Sequence, residues 1–148
     1  MGRLAIRVLL FAVVVVALAG CGGGDDGAAQ SVKDRVAELS TSNYAGAWAA
    51  LHPAQQQVVP ENLFIRCGVE AEDGKDPAVD DVEILGTKKV KKDIPWVGEV
   101  EVTEVKIRMT QGETSREAFY DVVKVDGDWR WTLTDRSLSA FEAGNCPP

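Results

Sequence analysis

Val100-Glu101-Val102-Thr103-Glu104-Val105-Lys106-Ile107-Arg108-Met109 decides the fold, because its apolar residues recur at every second position and a helix has no such period. Successive side chains of a strand point to opposite faces of its sheet, so the apolar set marks a buried face. The parity of that set changes within the stretch. Val100 and Val102 carry even numbers, whereas Val105, Ile107 and Met109 carry odd ones. A strand that keeps one buried face must insert a residue where the parity changes, which predicts a β-bulge at Thr103-Glu104 and a sharply bent strand.

The alternation continues on both sides. Val82 and Ile84 begin it upstream and carry it through Val90, and downstream Phe119, Val123 and Val125 define a third strand whose inner face also takes Asp121. Asp126-Gly127 is a hairpin signal, and Trp129, Trp131 and Leu133 alternate beyond it on a fourth strand. Ahead of the strands the period is near 3.6. Ser31 is the expected N-cap of a first helix, with Asp34 in its first turn and Val32, Val36 and Leu39 on its apolar face. Thr41-Ser42-Asn43 breaks and recaps the chain into a second helical stretch with Tyr44, Ala47, Trp48 and Leu51, which Pro53 ends or kinks. Pro60-Glu61 starts a third helix, its inner face formed by Leu63, Phe64 and Cys67. Three N-terminal helices on a curved four-stranded antiparallel sheet make an α+β domain over 31–148.

Asn43-Tyr44-Ala45-Gly46-Ala47-Trp48-Ala49-Ala50-Leu51-His52-Pro53, the Pro60-Glu61-Asn62-Leu63-Phe64 helix and the closing Asp126-Gly127-Asp128-Trp129-Arg130-Trp131 carry a resemblance to the nuclear-transport-factor-2-like superfamily. It covers about Ser31 to Leu138 and rests on spacing and aromatics rather than on an invariant motif. It implies a sheet wrapped around helices as a cone, whose interior holds apolar ligands in some relatives and acid–base pairs in others.

The first 20 residues read as a secretory signal. Arg3 and Arg7 precede an unbroken apolar run from Val8 to Ala19, too short for the roughly 20 residues of a membrane span. Leu18-Ala19-Gly20-Cys21 resembles the lipobox of bacterial lipoproteins, which implies cleavage before Cys21, acylation of its thiol and residence on the outer side of the cell membrane. Residues 21–30 then form a lipidated cysteine and a Gly-rich tether. That glycine run is no phosphate loop, since no strand precedes it and no Lys-Ser/Thr follows. Cleavage leaves 14 basic against 23 acidic groups, a net charge of −9. Such a charge excludes nucleic acid as a partner and leaves acyl chains, not electrostatics, to hold the membrane. With Cys21 assigned to lipid, Cys67 and Cys146 remain as an even pair in an oxidising compartment, either a disulfide or two free thiols.

Candidate chemistry is sparse. His52, the sole histidine, would need Asp121 or Glu104 to work as an acid–base pair; otherwise it ends a helix, its cation meeting the negative dipole end. Tyr44, Trp48, Phe64, Trp129 and Trp131 either line an apolar ligand pocket or fill the core. Ile94-Pro95-Trp96-Val97 is an apolar hairpin loop, either exposed as a partner surface or folded in as a lid. Seven acidic residues between Glu70 and Glu83 lack the EF-hand spacing and read as a solvated loop. Lys88, Lys89, Lys91 and Lys92 either touch membrane phosphates or guard a strand edge against aggregation. No metal site, nucleophile elbow or Cys-x-x-Cys occurs, and no cofactor is expected. The expected function is non-catalytic binding of a small apolar ligand or an envelope protein, with an acid–base enzyme or a structural spacer as alternatives.

Overall fold

The structure, a computed structural model, describes residues 25–72 and 79–148. Helix α1 (Asp25–Ser40) begins six residues before the expected cap. Ser31 lies inside it and its hydroxyl donates back to the Ala28 carbonyl. The reason is packing: Ala28 is fully buried along with Val32 and Val36, and Gly27 lets the Trp129 indole approach the backbone. The tether reading therefore does not hold for 25–30. Cys21, the signal segment and Gly22 to Gly24 lie outside the described residues.

Asn43 recaps the chain as expected, accepting from the Gly46 amide at the start of α2 (Tyr44–Ala49). Pro53 opens a further single turn, α3 (Pro53–Gln56), and α4 (Glu61–Glu72) follows. The strands β1 (Asp81–Ile94), β2 (Gly98–Gln111), β3 (Thr114–Val125) and β4 (Asp128–Trp131) form one antiparallel sheet in chain order. A last helix, α5 (Asp135–Glu142), is capped by Thr134 and buries Leu138 and Phe141. There are thus five helical segments among the described residues, not three, and two of them follow from the Pro53 and Thr134 starts.

The ladder runs unbroken through Thr103-Glu104, pairing Val102 with Val90, Thr103 with Lys89 and Glu104 with Lys88. The expected bulge there is absent. It lies in β1 instead, where Leu85 is the extra residue between Ile84 and Gly86. The parity change in β2 has another cause: the strand buries different faces at its two ends. Val105, Ile107 and Met109 face the helices and join the main core with Val122, Trp131 and Phe64. Val102 faces the other way, into a small second cluster with Ile94 and Val123, against which Val90, Val97, Val100 and Val125 pack. Each fully buried branched side chain contributes roughly 1.5–3 kcal/mol. In β1 Val82, Ile84, Val90 and Ile94 are all even-numbered, yet the bulge at Leu85 sends Val82 and Ile84 to the helix side and Val90 and Ile94 to the outer side.

β3 follows the same rule. Ala118, Tyr120 and Val122 face the helices, so the inner face is even-numbered. Phe119, Asp121, Val123 and Val125 lie on the outer face, contrary to the sequence expectation, and Phe119 is 62% exposed. Asp126 (φ 52°) and Gly127 (φ 93°) make the expected left-handed turn into β4. That strand is short: it pairs only with Val122 to Val125. Leu51 bridges to Trp131, and the Trp131 carbonyl accepts from the His52 amide, fixing the α2–α3 junction to the sheet.

Candidate binding site

The expected aromatic pocket does not form as a unit. Phe64 packs edge-on against Trp131 (centroids 6.1 Å) and beside Phe141 (5.7 Å) within the core. The Trp131 indole donates to the Ala47 carbonyl and that of Trp48 to Val59 (each 2.8 Å), satisfying their polar edges. Trp129 lies over Gly27 with the Lys124 ammonium 5.7 Å from its ring. These four rings fill space. Of the expected set, only Tyr44 lines the larger cleft.

That cleft, about 620 Å³, opens between the C-terminal half of α1, the end of α4 and the helix-facing side of β2 and β3. Val36, Leu39, Val79 and Met109 supply an apolar wall, Tyr44 and Tyr120 two aromatic edges, and Ser40, Glu72, Gln111 and Arg116 the polar groups. A few polar groups on a mostly apolar concavity of 300–1,000 Å³ is roughly what small-ligand sites look like. Glu72 accepts from the Ser42 hydroxyl at 2.8 and 2.9 Å. Burial and then the Glu72 carboxylate push the Tyr44 phenol up to about 12, so it stays protonated. Burial also raises Tyr120, against the opposing pull of Arg116 and Arg35. Sequence reading found Tyr44 but missed Met109, Arg116 and Tyr120, because nothing local places β2 and β3 against α1.

A smaller cleft of about 420 Å³ lies where the β1–β2 turn meets β3 and the start of α5, with Lys92, Pro95, Phe119, Asp121 and Leu133 on its walls. Lys92 Nζ is 2.7 Å from Glu104 and 2.8 Å from Asp121. Burial alone would lower the Lys92 ammonium, but its bonds to Asp121 and Glu104 outweigh this and hold it above its ordinary value. The hydrogen bond from Lys92 holds the Glu104 carboxyl below the usual range. The two suspected carboxylates thus meet each other through a lysine, on the outer face of the sheet.

His52 is not with them. Its Nδ1 accepts from the Ala54 amide at 3.2 Å and caps the N-terminus of α3. This corrects the reading that it ends a helix as a cation: it opens one, and an acceptor nitrogen must be unprotonated. Burial and then Arg130 lower its pKa accordingly. Fully buried Gln55, one turn on, donates to the carbonyls of Pro95 (3.0 Å) and Leu133 (3.3 Å) and accepts from the Leu133 amide (2.8 Å). It ties α3 to the β1–β2 turn, a role no sequence signal announced.

The apolar loop divides. Ile94 is buried and Val97 packs on the second cluster, while Trp96 is 60% exposed at φ 67°. A left-handed tryptophan costs roughly 1–2 kcal/mol, so this display is held by its neighbours. Lys88, Lys89 and Lys91 are exposed on β1, an edge strand. Cys67 and Cys146 are joined as a disulfide (S–S 2.06 Å, Cα–Cα 5.2 Å), which fastens α4 to the tail beyond α5. Among the described residues no group of three His, Cys, Asp or Glu could hold a metal, and no helix is long and apolar enough to cross a membrane.

Comparison with curated proteins finds no match. Residues 19–132 match a family model described as a domain of unknown function, DUF4878. With most of its length covered by that match, the chain belongs to the DUF4878 family.

Proposed function

We propose that this chain is an exported lipoprotein, acylated at Cys21, whose domain is a nuclear-transport-factor-2-like cone that binds a small apolar ligand without catalysis. The 620 Å³ cleft carries the binding part of this reading. Leu18-Ala19-Gly20-Cys21 behind a 12-residue apolar run supports the anchor. Acid–base catalysis by His52 has no support from the geometry, since its ring is spent on a helix cap and both carboxylates on Lys92.

Ala71 is exposed at the mouth of the cleft, so a larger side chain there fills the space without disturbing the core. Native mass spectrometry of the full chain is expected to show retained apolar ligand on the wild type and none on Ala71→Trp. A wild type that takes up no apolar compound, or an Ala71→Trp variant that binds as the wild type does, overturns the proposal. A second reading, docking of an envelope protein on the β1–β2 tip, is favoured by the exposure of Trp96. It predicts that Trp96→Ser loses a cross-linked partner while ligand retention is kept.

A further inference from the structure

We infer that the ligand of the larger cleft is a single-chain carboxylic acid, its carboxylate held by the Arg116 guanidinium and the Tyr120 hydroxyl and its hydrocarbon laid against Val36, Leu39 and Met109. This rests on the binding reading above and adds the chemical class.

Arg116 stands directly across from Met109 on the helix-facing side of the sheet, and its side chain forms part of the cleft wall. Several charges elsewhere on these strands are matched. Lys92 is met by Glu104 and Asp121, Lys106 by Glu117, and Arg108 by Glu83 and Glu117. Among the described residues Arg116 is the arginine of the sheet's long strands with no carboxylate in salt-bridge distance. An apolar body seated in the cleft takes water away from that guanidinium. Desolvating an unpaired charge is costly, and a purely hydrocarbon ligand offers nothing in return. A ligand carboxylate removes the cost, because the planar guanidinium fork donates two parallel hydrogen bonds to one carboxylate.

The surroundings favour an anion at this end. Tyr120 lies two residues from Arg116 on the same face, and its phenol feels both Arg116 and Arg35. Arg35 is only 5% exposed, paired with Glu38 and stacked 5.4 Å from the Trp131 ring, and its Nε is buried without a partner. Burial keeps the Tyr120 phenol protonated against the pull of the two arginines, and its O–H is a donor on the same cleft wall as Arg116. Glu72, the acid of the opposing wall, accepts from the Ser42 hydroxyl and is bonded by the Tyr44 phenol, which occupies its oxygens.

Three probes of equal chain length decide it: dodecanoate, dodecanol and dodecyltrimethylammonium, titrated below their aggregation limits into the full chain at pH 8. Dodecanoate is expected to bind at least about tenfold more tightly than dodecanol, and the ammonium more weakly than either. Arg116→Gln is expected to abolish the preference for the acid, Arg116→Lys to keep part of it, and Tyr120→Phe to reduce it. Equal binding of acid and alcohol by the wild type, or an undiminished preference in Arg116→Gln, overturns the carboxylate assignment and leaves the apolar site standing. Binding of none of the three, or binding that Ala71→Trp does not change, overturns the site along with it.

Discussion

A β-carbon on Gly68 would stand 2.4 Å from the Tyr44 ring, closer than any side chain allows. Replacing glycine by alanine inside a helix ordinarily gains about 1 kcal/mol. Here the clash decides, and Gly68→Ala is expected to cost about 1–3 kcal/mol. Urea unfolding checks it, and a stabilised variant would refute the close packing that sets one edge of the cleft. His52 makes a pH prediction. Its folded pKa lies below 6.5, so the unfolded chain binds the proton more readily. The contribution is present in full above pH 6.5 and is lost as the pH falls toward the folded value. His52→Asn keeps an acceptor at the cap and removes the titration. Its melting temperature should therefore vary less than the wild type's on acidifying from pH 7 to just above the carboxylate range. Residues with local jobs were legible: Asn43 caps within three residues, and Asp126-Gly127 turns on its own backbone. Gln55 and Arg116 were not, because each acquires its role from chain 40 to 80 residues away or from another layer of the fold.

At the level of the strands, Ile94 and Ile107 belong to separate clusters on opposite faces of one sheet. Each truncation to alanine is expected to cost about 2–5 kcal/mol. Their effects should add to within about 0.5 kcal/mol in the double variant, since they share no partner. Coupling above 1 kcal/mol in a double-mutant cycle would show the two clusters to be one. The existence and order of the strands were readable from period two alone. Their faces were not. A change of parity records either an inserted residue or a change of buried face, and β2 makes the second choice where the sequence suggested the first. In β1 Val82, Ile84, Val90 and Ile94 share one parity across the real insertion at Leu85. Only the partner strand distinguishes these cases. The helix α5 did have a local signal, Thr134 followed by Leu138 and Phe141, but its apolar face is just two residues wide.

For the molecule as a whole, the bridge between Cys67 and Cys146 is the largest single constraint, closing 79 residues of separation. Loop entropy assigns it up to about 4.5 kcal/mol, so Cys67→Ser with Cys146→Ser is expected to lower the urea midpoint and to raise the slope of the transition, since the unfolded chain without the bridge exposes more surface. A midpoint equal to the oxidised protein's would mean that native packing already holds the tail. The disulfide was one of two readings the sequence allowed for Cys67 and Cys146, whereas the cleft could not be read, being assembled from residues between Val36 and Tyr120. The same bridge has a mechanical side. All four strands lie between its two ends, so a pull on the chain termini reaches Cys67 and passes straight across sulfur to Cys146. Force can peel away α1, α2 and α3, but the sheet sits in a slack loop that carries no tension. With the bridge intact, about 260–280 Å of contour length stays locked away. A reductant would expose that length to the pull, and the cleft residues from Gly68 to Tyr120 would unravel with the sheet.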